Sequence, residues 1–250
     1  MLIPSPRHTA ADLAHWARVS AKDALWGRQP AMLRRRRAAV ETLRRFAAEG
    51  PCYAGLSCGK DSTVLMGLLR ELARAHGVVV PVAYVRVNPH ENPDNALVLE
   101  AVRAACPELT VDVIEVTAER DPETGAWVGR GRLEAGFREA DRRYGARHIS
   151  GIRASESALR TQVAAWHGVT SAASCRPMLH WRGSDVFAYL AEQELPVHPA
   201  YACTFGGTLD RERIRVATLG GDRGIGHGRR GWELYYYRAE MFALGFDRYG

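Results

Sequence analysis

The run Tyr53-Ala54-Gly55-Leu56-Ser57-Cys58-Gly59-Lys60-Asp61-Ser62-Thr63-Val64-Leu65-Met66 decides how this chain is read. A short apolar segment stops in Ser-Cys-Gly-Lys-Asp-Ser, and apolar residues resume at helical spacing with Val64, Leu65, Leu68 and Leu69. The pattern is strand, tight loop, helix, which is an arrangement suited to phosphate. Loop N–H groups and the positive end of the helix dipole converge on an anion, Gly59 lets the backbone approach closely, and Lys60 adds a mobile cation. Ser62 can donate a hydroxyl and Asp61 can help hold Mg²⁺. A Walker A loop requires Gly, four residues, then Gly-Lys-Ser/Thr. Here Gly55 lies four positions before Gly59 rather than five, and Asp61 follows Lys60, so the loop is of another kind. A plain helix N-terminus capped by Ser57 or Asp61 is the simpler alternative, but capping does not account for Gly-Lys beside two hydroxyls.

The rest of the composition fits one sizeable α/β domain. The 250 residues are 46% hydrophobic and 25% charged, ordinary values for a globular protein. No apolar run reaches the roughly 18 residues of a membrane helix, and the N-terminus, with Pro4, Pro6 and Arg7, lacks a signal-peptide core. The expected location is the cytoplasm. Five cysteines, at 52, 58, 106, 175 and 203, contain no Cys-x-x-Cys pair, which argues against a disulfide framework or a clustered metal site. The net charge of +6 comes almost wholly from arginine, since Lys22 and Lys60 are the only lysines. Retaining lysine in the loop suits a compact ammonium to phosphate. The arginine bias itself has two readings, genomic base composition and nucleic-acid binding.

Reading outward from the loop, an amphipathic helix is expected from Thr9 to about Trp26 with Leu13, Trp16, Ala17 and Ala24 as its apolar stripe. A second is expected from about Pro30 to Ala48, where Arg34 to Arg37 occupy a full turn as a solvated, acid-paired face or as a phosphate-backbone contact. After the loop, a helix should run from Asp61 to about Ala75 and stop at Gly77. Val78 to Val87 reads as a strand buried on both faces, followed by Asn88-Pro89-His90-Glu91-Asn92-Pro93, whose His90 and Glu91 are either ribose or metal contacts or surface polar residues of a turn. A helix from about Asp94 to Ala105, a strand from Thr110 to Val116, a polar loop from Glu119 to Gly131, a helix from Arg132 to Tyr144 and a strand at Arg147 to Ser150 follow. Alternating strand and helix predict parallel crossovers and a doubly wound sheet.

The fourth strand leads into Gly151-Ile152-Arg153-Ala154-Ser155-Glu156-Ser157-Ala158-Leu159-Arg160, a second anion-binding corner on the same sheet edge. Arg153 and Arg160 could neutralise charge there, although Arg160 could equally be a helix-surface residue. Downstream come Arg176-Pro177-Met178-Leu179-His180-Trp181, Ser184-Asp185-Val186-Phe187-Ala188-Tyr189-Leu190 and Leu195-Pro196-Val197-His198-Pro199-Ala200-Tyr201. Ser184 reads as the cap of a helix whose Val186, Phe187 and Leu190 pack inward.

Residues 57–62 resemble the PP-loop, Ser-Gly-Gly-x-Asp-Ser, of the ATP pyrophosphatase superfamily, with Cys58 in place of the first Gly. The Gly151 to Arg160 segment and the Pro…Trp…Asp-Val…Pro-x-Tyr series resemble its phosphoadenosine phosphosulfate (PAPS) reductase branch, with Phe187 for the usual Trp. The resemblance implies an adenine nucleotide alpha hydrolase-like, Rossmann-like fold that cuts ATP between its α- and β-phosphates. It implies nucleotide contacts from Ser57, Cys58, Gly59, Lys60, Asp61, Ser62, Gly151, Arg153 and Glu156, catalytic roles for Lys60, Asp61, Arg153 and Arg160, and Mg²⁺ on Asp61. The expected division is an N-terminal helical segment at 1–49, a PP-loop domain at 50–201 and an irregular Gly/Arg-rich extension at 202–250. The chain lacks the Glu-Cys-Gly-x-His tail of PAPS reductases, and Cys203 stands alone where cluster-bearing members place paired cysteines, so no iron–sulfur cluster is expected. Cys175 and Cys203 are either buried thiols or a sulfur relay. The intact Lys-Asp-Ser with an Arg-rich surface most resembles the ATP pyrophosphatase of DNA phosphorothioation, whose partners would be DNA and other sulfur-modification proteins. The rivals are a sulfate-adenylylating subunit, a nucleotide-binding partner without turnover and, last, a PAPS reductase.

Overall fold

The computed structural model describes residues 1–119, 122–123, 131–216, 218–219 and 230–245. Two helices, α1 (Ala10–Gly27) and α2 (Pro30–Ala48), precede an alternation of β1 (Tyr53–Leu56), α3 (Lys60–His76), β2 (Val82–Asn88), α4 (Asn95–Ala105), β3 (Val111–Thr117), α5 (Gly131–Tyr144), β4 (His148–Ile149), α6 (Ala158–His167) and β5 (Ser174–Cys175). Helix α7 (Gly183–Glu192) follows, and after a 3₁₀ turn at Arg211–Arg213 come α8 (Arg230–Tyr236) and α9 (Arg238–Ala243). The five strands form one sheet in the order β3-β2-β1-β4-β5. Every pairing is parallel, with Ala54 opposite Val82 on one side and opposite Ile149 on the other.

The sheet is covered on both faces, as its sequence alternation requires. Along β2, Val82 and Tyr84 point into the larger core with Leu65, Leu68, Leu72, Val98 and Phe46, whereas Ala83, Val85 and Val87 enter a second cluster with Ile114 and Ala140. Helix α5 closes that second face so tightly that a Cβ on Gly136 would lie 2.3 Å from Val85 Cγ1. Helix α3 begins at the N-cap Gly59 and ends on Gly77, whose φ of 67° is the left-handed stop that a residue without Cβ adopts freely.

Several boundaries differ from the expectation. The strand expected from Val78 begins only at Val82, and the two-residue β5 was not expected at all. Helix α1 buries only part of the expected stripe: Trp16 packs inward, but Leu13 and Ala17 are exposed, and the most buried positions are Asp12, Asp23 and Gly27. Periodicity counts apolar residues, but here the inward face is held by carboxylates. The cap of α7 is Arg182, not Ser184, with the Asp185 carboxylate accepting the Arg182 N–H at 2.9 Å, while Val186, Phe187 and Leu190 do pack inward. In the extension, α8 and α9 bury Trp232, Tyr237 and Met241, so it is helical there where irregular chain was expected, while its described residues between Cys203 and Leu219 are irregular apart from the 3₁₀ turn. Most of the Glu119–Gly131 loop and of the Gly220–Gly231 run lies outside the described residues.

Candidate active site

Strand order places the site. β1 sends its chain to α3 and then to β2 on one side, while β4 joins on the other, so a crevice opens beyond the carboxyl ends of β1 and β4. The 57–59 loop and the 150–157 turn both emerge there. They are in direct backbone contact: a Cβ on Gly151 would stand 2.8 Å from the carbonyl oxygen of Asp61 and 2.9 Å from its carbonyl carbon. Glycine at 151 is therefore what lets the two corners meet.

The loop is braced from within. Ser62 Oγ accepts the Ser57 N–H at 3.1 Å, lies 3.1 Å from Ser57 Oγ, and donates to the Gly59 carbonyl at 2.9 Å. Thr63 Oγ1 donates to the same carbonyl at 3.1 Å. Neither Ser57 nor Asp61 caps α3. Cys58 has a φ of 58°, in the left-handed region where glycine is at ease, and its thiol is fully buried with Sγ 3.6 Å from the Asn95 carbonyl. Burial first, then the neighbouring Glu91 carboxylate, push that thiol up to about 12.

Three charges meet between the two corners. Asp61 Oδ1 accepts from Arg153 Nε at 2.5 Å, and Asp61 Oδ2 lies 3.2 Å from Lys60 Nζ. Both cations are nearly sealed from water, at 2% exposure for Lys60 and 3% for Arg153, while the Asp61 side chain keeps 18%. Arg153 also donates from Nη1 to Ser155 Oγ at 3.1 Å and to the Trp181 carbonyl at 3.5 Å. Glu156 accepts the Arg153 backbone N–H at 3.3 Å and pairs with Arg160, so Arg160 is one step removed from the triad.

Two contributors were not foreseen in the sequence. Tyr201 places its hydroxyl 2.9 Å from the Lys60 N–H as acceptor, and its ring centroid lies 5.1 Å from Lys60 Nζ. Its position in the Pro-x-Tyr segment was the available signal. The second is the extension, where Lys60 Nζ donates to the Ile214 carbonyl at 3.4 Å and Arg215 donates to the Glu156 carbonyl. On the far side Leu219 N–H reaches the His90 carbonyl at 2.7 Å. Glu91 is engaged by the Tyr84 hydroxyl and by Asn95 Nδ2, so it is tied into its own turn. Of the four arginines at 34 to 37, Arg36 pairs with Glu71 and Glu192 and Arg35 with Asp185, the acid-paired reading.

The donor set at Asp61 does not fit a protein-held magnesium ion. Each carboxylate oxygen already faces a cation, and a divalent ion there would add to two buried positive charges. Among the described residues no group of three or more His, Cys, Asp or Glu is arranged to hold a metal.

The model of the phosphoadenosine phosphosulfate reductase domain matches residues 51–207, more than half of the chain. The chain belongs to that family. The match spans β1 through the turn after Tyr201 and includes both corners of the site. Among solved structures, PAPS reductase from Candida auris in a phosphate complex aligns at 15% identity with a TM-score of 0.49, over 74% of this chain and 90% of that one. The U34-tRNA thiolase NcsA from Methanococcus maripaludis, with its [4Fe-4S] cluster, aligns at 15% identity and a TM-score of 0.46, over 87% and 81%. NAD+ synthetase from Burkholderia pseudomallei aligns at 17% identity and 0.42, over 94% of each chain. No curated protein matches the sequence. Among the described residues, no helix is long and apolar enough to cross a membrane.

Proposed function

We propose that this family member is an ATP pyrophosphatase that activates an acceptor by adenylylation, serving sulfur modification of DNA. The observation that carries the reading is the Lys60–Asp61–Arg153 triad, sealed between two loops at the switch point of a parallel sheet. Two buried cations beside a helix N-terminus form a site for polyphosphate, and low exposure strengthens their effect on charge that develops there.

Magnesium comes to this site as part of the substrate, Mg-ATP. Lys60 and the loop would hold the β- and γ-phosphates, and Arg153 would face the α-phosphate. An acceptor oxygen attacks the α-phosphorus, the α–β P–O bond breaks, and its electron pair leaves on pyrophosphate, whose growing charge Lys60 and Arg153 offset. Gly151 and Ser62 keep the two corners in register during this step. Reductive chemistry on PAPS is disfavoured by the thiols: all five cysteines are buried, and burial pushes Cys58, Cys175 and Cys203 up to about 12.

The test is product analysis with Mg-ATP, alone and with duplex DNA or with sulfate. AMP and pyrophosphate are expected, stimulated by DNA. Lys60→Ala should lower the rate by at least about a hundredfold, in keeping with loss of a preorganised electrostatic contact. Stimulation by sulfate alone would move the acceptor to sulfur assimilation, and ADP with phosphate would end the proposal.

A further inference from the structure

The family resemblance leads one to expect Asp61 to be a metal ligand, but its geometry gives it a different occupation. It sits between Arg153 Nε at 2.5 Å and Lys60 Nζ at 3.2 Å, and neither cation has another carboxylate within ion-pair distance among the described residues. The arginine and lysine are almost wholly withdrawn from water, so bulk counter-ions cannot serve them. The carboxylate keeps the greatest exposure of the three. Lys60 completes its shell with the Ile214 carbonyl, and Arg153 with Ser155 and the Trp181 carbonyl, all neutral.

We infer that Asp61 is a built-in competing anion that sets a charge threshold for entry, reserving Lys60 and Arg153 for di- and triphosphates over single phosphate or sulfate. The triad's net charge is +1, because one carboxylate offsets one of two cations, and the Glu212 carboxylate, beyond ion-pair distance, acts on both cations as well. A single phosphate or sulfate brings about 1.5–2 negative charges against the one on the carboxylate it must displace, a small gain set against its own cost of leaving water. A pyrophosphate group spans both cations at once and brings additional charge, so it can compensate Lys60 and Arg153 together. This inference rests on the reading that the loop receives the phosphates of a nucleotide. It adds that selectivity is set by repulsion as well as attraction.

The experiment is calorimetric titration of inorganic pyrophosphate and of orthophosphate into wild type and Asp61→Asn, in EDTA so that no metal takes part. Wild type should prefer pyrophosphate by at least about tenfold. In Asp61→Asn, orthophosphate should bind about tenfold more tightly than to wild type, with the preference for pyrophosphate reduced accordingly. Arg153 loses its charge partner in that variant and equally in Asp61→Ser, so thermal unfolding of both provides a second measurement. The melting temperature of either variant should rise more with added orthophosphate than that of wild type. Unchanged or weaker orthophosphate binding in both variants overturns the inference, as does a variant that differs from wild type only when Mg²⁺ is supplied, the behaviour of a metal ligand. If neither wild type nor variant binds pyrophosphate, the nucleotide reading itself falls. Tight wild-type binding without a gain in the variants removes only the role given to Asp61.

Discussion

His198 shows how much one side chain can decide. It is 1% exposed, its Nδ1 accepts the Ala200 N–H at 3.0 Å, and its Nε2 has no hydrogen-bond partner. Nδ1 must therefore stay unprotonated to keep the turn before Tyr201. Burial, helped by the Arg7 charge, lowers its pKa from 6.5 to about 3. The unfolded chain takes up the proton far more readily than the folded one, so acid favours unfolding. The contribution is intact above about pH 6.5 and erodes by about 1.4 kcal/mol per pH unit as pH falls towards about 3. Between pH 7.5 and pH 5, urea denaturation should show wild type losing about 2 kcal/mol more than His198→Asn, and equal losses would disprove it. Lys60 was legible in the sequence because a near-absence of lysine made it conspicuous, and Arg153 because it follows a glycine after a strand. Asp61 was legible too, but not that both cations share it, since Asp61 and Arg153 are separated by 92 residues and only the fold brings them together.

At the scale of elements, the close approach of the 151 turn to the start of α3 is the contact on which the site depends. The atoms in the way of a Cβ are backbone, which cannot rotate aside. Gly151→Ala should lower stability by about 1–3 kcal/mol and cut pyrophosphate release at least tenfold by prising the corners apart. Wild-type values for both would show that the corners move independently. Strands β1 to β4 and helices α2 to α5 were readable because each carries its own periodicity and punctuation. β5 was not, because two residues, Ser174 and Cys175, have no period and owe their strand geometry to pairing with His148 and Ile149. Helix α1 misled for a related reason. Its Thr9–Asp12 capping box marks the start correctly. Its inward face, however, is polar and makes sense only beside partners far along the chain.

Those partners tie the whole molecule together. Asp12 accepts from the N–H groups of Thr204 at 3.1 Å and Gly206 at 2.9 Å and from the Tyr236 hydroxyl at 3.0 Å. Both oxygens of Asp23 lie 2.7 Å from Arg211 Nη2, and the guanidinium stacks 4.0 Å from the Phe187 ring centroid. Burial raises the proton affinity of Asp23 by more than Arg211 lowers it, so the pair contributes register more than stability. Arg211→Leu, leaving a buried carboxylate alone, should cost about 3–5 kcal/mol in denaturant unfolding, and the double replacement Asp23→Leu, Arg211→Leu should restore most of it. A double variant as unstable as the single one would mean the charges are indispensable. The same clasp leads from α1 to Ile214 and Lys60, so the N-terminal segment braces the extension that reaches the phosphate loop.

One consequence concerns the ribosome. The inward face of α1 carries, beside Trp16 and Gly27, two carboxylates whose partners lie 192, 188 and 224 residues downstream. At elongation rates of about 5–20 residues per second, α1 waits roughly 10–40 s for the residues that receive it. Because that face sets two carboxylates beside Trp16, it is less apolar than an ordinary core-facing stripe and can wait in water with less attraction for other chains. Thr204, Arg211 and Tyr236 then dock a helix made long before them, and the phosphate loop gains its Ile214 and Arg215 contacts only after that interval.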